Sequence, residues 1–152
     1  MANIRVSVKA IIVVDGRLLV TRNQDEEGHF FLLPGGGQEH GESLHDALRR
    51  ECREELGVDV DVHDVVLVRD YIGRNHEFSD HDGGVHQLEI MFRCTLRDEV
   101  VEGGATNPDR WQIGIDWLDF AALDEQRIYP NVLRSAVPRL AVGSPIYLGD
   151  VN

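Results

Sequence analysis

The stretch that decides the fold runs from residue 36 to residue 58 and reads GGQEHGESLHDALRRECREELGV. After its glycines it contains good helix formers with helical periodicity. Ser43 carries a side chain suited to cap a first helical turn, and Gly57 suits the residue just past a helix end. The sequence therefore predicts a helix over residues 43–56 that follows a glycine-rich turn.

The apolar face of this helix also carries carboxylates. At about 100° per residue, the core-facing arc is formed by four residues: Leu44, Ala47, Leu48 and Cys52. Glu51 and Glu55 fall inside that arc and Glu54 falls at its edge, whereas the arginines point away and the helix has no lysine. Carboxylates aimed inward cannot all stay ionised without a partner. The pattern alone fits either a Mg²⁺ or Mn²⁺ site with oxygen ligands or an ion-pair network between helices.

The same stretch resembles the Nudix box, the signature of Nudix hydrolases. The matching positions are Gly36, five residues, Glu42, seven residues, Arg50-Glu51, the apolar Cys52, Arg53, Glu54-Glu55, Leu56, Gly57 and Val58. Residues 33–36 (LPGG), residues 115–118 (IDWL) and Tyr129-Pro130 also look like the family. The resemblance covers about residues 4–140 and leaves the last dozen residues uncovered.

The resemblance implies an α/β fold, the Nudix α/β/α sandwich with a mixed sheet, in which the box forms a loop–helix–loop. The length of 152 residues predicts one domain over residues 1–152. The resemblance also implies Mg²⁺- or Mn²⁺-dependent hydrolysis of a pyrophosphate bond in a nucleoside diphosphate linked to another moiety, giving a nucleoside monophosphate and the phosphorylated remainder. The alternative is a catalytically silent nucleotide-binding or regulatory module with the same fold. Such modules usually lose box glutamates, and this chain keeps them.

Site residues follow from the resemblance position by position. Glu51, Glu54 and Glu55 are expected to bind the metal, with the Gly35 carbonyl as an extra ligand and Glu51 or Glu55 sharing the role of base. The remaining box positions are expected to be structural: Glu42 and Arg50, which pair to orient loop and helix, and Gly36 and Gly57.

Residues outside the box give weaker candidates. Glu89 alternates away from the apolar face of its strand, so it is either a second candidate base or simply solvated. Arg5 and Arg22 are candidate phosphate contacts, although charge on a strand surface is the more usual explanation for such arginines. Tyr71 is a candidate for stacking on a base. A loop over residues 73–84 is expected to select the non-nucleotide half of the substrate. Its histidines also suggest zinc, a solvated loop or a lid.

The substrate itself is not marked. Family members that prefer ADP-ribose often carry a proline where this chain has Gly73, and dinucleoside polyphosphate hydrolases often carry a tyrosine where it has residues 74–76. Neither marker is present.

Charge limits the partners. The chain has 152 residues with 15 basic and 27 acidic side chains, which gives a net charge of −12. An acidic field repels nucleic acids and anionic membranes, but it admits a small nucleotide when a divalent cation reverses the field locally. With no signal peptide and no apolar run of about 20 residues, we expect a cytoplasmic protein.

Further elements are predicted by periodicity. Strands are expected at residues 4–12, 18–21, 30–33, 58–62, 65–71, 85–96 and 113–118, with short helices at 119–123 and 130–136. Cys52 and Cys94 are expected to be reduced core residues, with a single disulfide as the alternative. A homodimer is also open, because the apolar residues 145–148 can pack either on a partner or on the chain's own core.

Overall fold

The computed structural model describes residues 2–140 and 144–152. The strands are β1 (Arg5–Ile11), β2 (Val13–Val14), β3 (Arg17–Asp25), β4 (Gly28–Leu32), β5 (Gly35–Gly37), β6 (Val60–Ile72), β7 (His86–Leu96), β8 (Gln112–Asp119), β9 (Ile128–Tyr129) and β10 (Tyr147–Asp150). The α-helices are α1 (Leu44–Leu56), α2 (Ser79–Asp82) and α3 (Leu133–Ala136). Short 3₁₀ turns cover Gly73–Asn75, Phe120–Glu125 and Val137–Arg139.

Two sheets form the frame of this α/β fold. The first has the order β10-β6-β7-β1-β5, and the second has the order β2-β3-β4-β9, with β8 also pairing with β3. The first sheet is mixed, as predicted, because β1 pairs parallel with β7 and β10 pairs parallel with β6 while the other pairs are antiparallel.

Strand β1 contributes to two buried clusters. Val8 and Ala10 pack in a cluster with Leu48 of helix α1, whereas Ile11 packs in a second cluster with Leu133 of helix α3. The alternation predicted from the sequence is therefore confirmed, and both faces of the strand pack against apolar residues.

Polar and apolar residues share the face of the first sheet that Ile11 occupies. The register aligns Arg69 with Glu89 and Leu67 with Met91, and it aligns Ser7 with Glu89. Leu67 and Met91 belong to the second cluster, but the polar residues two positions along are left beyond it. Each of these strands thus changes from core to a polar surface along the same face, and that surface is where the cavity described below lies.

Three regions differ from the expectations. Residues 35–37 form strand β5 against β1, because backbone pairing does not need the apolar alternation by which strands are recognised. The loop over residues 73–84 contains a 3₁₀ turn and helix α2. The predicted helix at 130–136 is shorter, covering Leu133–Ala136.

The structure bears on two other expectations. The tail forms β10 on β6 of the same chain, but Ile146 and Tyr147 stay exposed, so the homodimer stays a prediction. Cys52 and Cys94 are buried and free, as predicted. Within residues 2–140 and 144–152, no helix has the length and apolar character that a membrane crossing requires.

Candidate active site

Helix α1 presents its carboxylates from a firmly capped segment. The Ser43 hydroxyl accepts a hydrogen bond from the Asp46 amide at 3.1 Å. At the other end Gly57 adopts a left-handed φ of 72°, and its N–H donates to the Arg53 carbonyl. Between these caps Glu51 and Glu55 are buried, with 9% and 3% of their surface exposed. The predicted helix and its inward glutamates are confirmed.

Glu55 is bound to the turn that precedes the helix. Its carboxylate accepts a hydrogen bond from the Gly35 amide at 2.8 Å. Burial raises the pKa of Glu55 to about 8, against smaller opposing effects of Lys9 and of the Gly35 hydrogen bond. Gly35 has a φ of 137°, and a Cβ there would lie 2.0 Å from the Val8 carbonyl oxygen. Only glycine allows β5 to approach β1 this closely.

Glu51 lies against the next glycine. A Cβ on Gly36 would lie 2.6 Å from one Glu51 carboxylate oxygen, so the missing side chain provides the space that this carboxylate occupies. Burial raises the pKa of Glu51, while the nearby Arg50 guanidinium lowers it by a smaller amount.

The prediction that the helix arginines point away from the glutamates is wrong for Arg50. Its guanidinium contacts a Glu51 oxygen at 3.0 Å and a Glu54 oxygen at 3.5 Å. A helical wheel gives the direction of Cα–Cβ bonds only, and a long arginine side chain reaches back to neighbours one and four residues away.

The expected pairing of Arg50 with Glu42 is present. The guanidinium makes two hydrogen bonds to the Glu42 carboxylate, at 2.6 and 3.0 Å, and a third to the Gly37 carbonyl at 3.0 Å. Arg50 holds the pKa of Glu42 at about 2, with help from the Glu39 amide. These contacts join the loop to the helix.

The glutamates fit a divalent cation by their chemistry, although they do not yet enclose one. Among the described residues no three His, Cys, Asp or Glu side chains converge closely enough to hold a metal ion as arranged. Even so, Glu51 and Glu55 are carboxylates one turn apart, both buried at a cost that a hard cation would offset. Within residues 2–140 and 144–152, Gln112 Oε1 is buried without a hydrogen-bond partner, and it borders the same small cavity as Glu55.

Gly35 as a metal ligand stays a prediction. Its carbonyl oxygen accepts a hydrogen bond from Lys9 Nζ at 3.1 Å. That oxygen keeps a second lone pair. Gly35 thus links Lys9 and Glu55, because its carbonyl accepts a hydrogen bond from Lys9 and its amide donates one to Glu55.

A cavity of about 380 Å³ lies on the polar surface of the first sheet. Its wall includes Arg5, Lys9 and Glu89, and Lys9 connects it to the Gly35 turn of the box. Arg5, an expected phosphate contact, therefore lies in the wall of this cavity.

Glu89 borders this cavity as half of an ion pair. Its carboxylate accepts a hydrogen bond from Arg69 Nε at 2.6 Å, and both side chains are nearly fully buried. The alternative of a solvated strand residue is thus wrong. Its other oxygen has only a long contact of 3.4 Å, from Gln87 Nε2. Whether Glu89 accepts a proton stays a prediction.

Tyr71 lies in the same wall, together with two further aromatic side chains, Phe78 and Tyr129. The rings of Phe78 and Tyr129 meet edge to face at 5.2 Å, and Arg69 lies over the ring of Tyr71 at 5.2 Å. The Tyr71 hydroxyl donates to Asp82 at 2.9 Å, which with burial raises the pKa of this phenol. Tyr71 therefore lines the cavity, but its ring is buried and already stacked on His76 at 5.3 Å, so stacking on a base stays a prediction.

Arg22 is not placed with these residues, so its expected phosphate role is corrected. It lies on β3 of the second sheet, and its guanidinium pairs with Asp116 at 2.9 Å and with Glu102 at 3.2 Å. Glu102 borders the cavity of about 200 Å³ that Glu55 and Gln112 also border. Two carboxylates already neutralise this arginine, which matches the alternative of strand-surface charge.

One histidine of the 73–84 region, His76, and one just beyond it, His86, have carboxylate partners. His76 pairs with Asp150 at 2.6 Å and His86 pairs with Asp70 at 3.1 Å. In the described part of the chain these side chains form no metal cluster, so the zinc interpretation has no support.

Sequence reasoning missed several cavity residues, chiefly Arg69, Gln87, Tyr129 and Asn152. Gln87 stands two residues from Glu89 and so shares its strand face, which was a usable signal. For Arg69 and Asn152 the sequence holds no local signal, because their places depend on the pairing of β6 with β7 and of β10 with β6.

Comparisons with known proteins agree with this geometry. A family model described as the NUDIX domain matches residues 3–140. The chain is 34% identical over 121 residues to nucleoside triphosphatase NudI of Salmonella arizonae, which covers 72% of this chain and 86% of the relative.

Solved structures show the same fold. A NUDIX hydrolase from Nitrosomonas europaea superposes with a TM-score of 0.72 at 16% identity, covering 90% of this chain and 87% of the other. A MutT NUDIX hydrolase from Burkholderia pseudomallei superposes with a TM-score of 0.61 at 28% identity, covering 78% and 85%.

Proposed function

Because the chain belongs to the Nudix family, we propose that this pyrophosphohydrolase acts on nucleoside triphosphates with Mg²⁺ or Mn²⁺ as cofactor. Water would add to one phosphorus, the bridging P–O bond would break, and the products would be a nucleoside monophosphate and pyrophosphate. In such a substrate the group linked to the nucleoside diphosphate is a third phosphate. The relative named as a nucleoside triphosphatase supports that choice.

The observation that carries the proposal is the pair of buried glutamates beside two glycines. Glu55 is held by the Gly35 amide, and Glu51 occupies the space that a side chain on Gly36 would take. Buried carboxylates are costly unless a cation compensates them. We assign Glu51, Glu54 and Glu55 to the metal, since Nudix hydrolases generally use divalent ions.

When bound, a divalent ion would neutralise phosphate charge and polarise the scissile bond. The chain's own residues would do the rest. Arg50 holds the box loop to the helix through Glu42 and thus fixes the direction of the glutamates. Arg5 and Lys9 offer positive charge in the neighbouring cavity wall, where the phosphates of a substrate would lie.

The proton of the attacking water needs a carboxylate acceptor. Glu51 and Glu55 lie on the helix itself, and Glu89 lines the cavity with one oxygen bound by Arg69 and the other contacted by Gln87 at 3.4 Å. We keep all three as candidate bases. The hydrogen bond from Arg69 fixes the orientation of the Glu89 carboxylate, which suits either positioning or proton acceptance.

A panel of nucleotides tests the proposal against the silent-module alternative. Nucleoside triphosphates, nucleotide sugars, ADP-ribose and dinucleoside polyphosphates would be incubated with Mg²⁺, with Mn²⁺ and with EDTA, and products would be separated by chromatography. We expect metal-dependent release of pyrophosphate from nucleoside triphosphates, and its loss in Glu51→Gln. Binding of nucleotides without turnover of any panel member would favour the silent module.

A further inference from the structure

The C-terminal tail builds part of the cavity, although it lies beyond the residues that match the family. Strand β10 pairs with β6 by placing Tyr147 opposite Val68 and Asp150 opposite Asp70. The Asp150 carboxylate fastens the strand, because it accepts hydrogen bonds from the Ile72 amide at 2.9 Å and from Asn75 Nδ2 at 2.8 Å. The tail is therefore held to the sheet by side-chain as well as backbone contacts.

This attachment brings Asn152 to the cavity wall. Arg69 Nη1 donates to the Val151 carbonyl at 2.6 Å and lies 3.4 Å from Asn152 Oδ1. Asn152 Nδ2 donates to Glu77 at 3.0 Å. These contacts orient the amide of Asn152 next to the aromatic residues Tyr71 and Phe78, which line the same cavity.

The order of strands decides which part of a substrate meets Asn152. The box adjoins β5 at one side of the sheet, and the tail forms the strand at the other side. Four strand spacings of about 4.8 Å separate them, which is about 19 Å. On the proposed function, phosphates would lie near the box, Arg5 and Lys9, which leaves the part of the cavity lined by Tyr71, Phe78 and Asn152 for the nucleobase.

An amide suits this position because it is both donor and acceptor. Asn152 has two N–H donors and an oxygen with two lone pairs. Among the described residues, one donor is used by Glu77 and the oxygen has only the long contact to Arg69. Asn152 lines the cavity, and these contacts leave it one N–H donor and acceptor capacity. A donor beside an acceptor complements the paired groups on the Watson–Crick edge of a base.

On the basis of the proposed function, we propose that Asn152 is a specificity residue that reads the hydrogen-bonding edge of the nucleobase. It would not take part in the hydrolysis itself. The tail would thus supply base recognition, while helix α1 supplies the chemistry.

UTP and CTP test this directly, because their bases present opposite groups at ring position 4. Asn152→Asp removes the donors and keeps acceptors, so it should lower kcat/KM for UTP relative to CTP by about 2- to 10-fold, the effect of one hydrogen bond. Asn152→Leu removes both and should bring the ratio towards one. Asn75→Ala is the matched control: it loses a contact to the same tail strand at Asp150 but does not line the cavity, so the ratio should stay that of the parent.

Calorimetric binding of UMP and CMP to the same variants gives a readout that does not depend on turnover. A UMP-to-CMP affinity ratio that shifts in Asn152→Asp supports the inference even if the parent hydrolyses no triphosphate, in which case the proposed function alone fails. An equal loss for both nucleotides, or an unchanged ratio in both Asn152 variants, would overturn the inference while leaving the hydrolase assignment intact.

Discussion

Replacing Glu55 by glutamine should make the metal-free protein more stable, and more so as the pH rises. The carboxylate is 3% exposed, and burial raises its pKa from an ordinary 4.5 to about 8. Below pH 4.5 the group is protonated in both folded and unfolded chains and costs nothing. Between pH 4.5 and 8 the Glu55 carboxyl loses its proton in the unfolded chain but keeps it in the folded chain, so the free energy of unfolding falls.

The size of the effect follows from the difference in pKa. At about 1.36 kcal/mol for each pKa unit, the free energy of unfolding declines by about 3 kcal/mol at pH 7 and levels off near 5 kcal/mol above pH 8. Glutamine carries no charge to bury, and its oxygen can still accept from the Gly35 amide. The variant should therefore gain about those amounts over the parent and lose most of the gain at pH 4.5.

Urea unfolding in EDTA at pH 4.5, 7 and 8.5 measures this. Glu54→Gln is the matched control from the same helix: its side chain is 29% exposed and Glu55 stays in place, so the decline with pH should persist. A Glu55→Gln protein that is less stable than the parent at every pH would refute the reasoning, since it would mean that a partner compensates the carboxylate in the fold.

Three other perturbations test the site. Mg²⁺ should raise the melting temperature of the parent by binding the folded state, and differential scanning fluorimetry measures this rise. The rise should vanish in a Glu51→Gln/Glu55→Gln protein. An equal rise in both proteins would show that the ion does not bind these glutamates. Gly36→Ala should reduce metal-dependent activity by at least about tenfold with the fold retained by circular dichroism, because its methyl group would displace the Glu51 carboxylate. Arg69→Met should lower the free energy of unfolding in urea by about 3–5 kcal/mol, because it leaves Glu89 buried and unpaired. The double variant Arg69→Met/Glu89→Gln should recover most of that loss. No recovery would show that the two side chains are not coupled.

Local patterns are enough to predict helix α1 but not the cavity of about 380 Å³. Helix α1 was predicted from its caps and periodicity, both of which act within a few residues. Arg50 was misplaced because a wheel ignores the reach of a side chain. The Arg69–Glu89 pair and strand β10 depend on which strands become neighbours, and that is set by packing between distant parts of the chain. Nothing in the residues around Arg69 indicates its partner.

Leu33 belongs to two parts of the molecule at once. It is 2% exposed within the second buried cluster, and it also lines the cavity of about 380 Å³. Shortening a buried leucine normally leaves a sealed void that the fold must tolerate. Here the vacated volume would join a space already open to solvent, so bulkier substrates would be admitted for a smaller loss of stability. New substrate ranges can evolve through such a boundary residue without any change to helix α1.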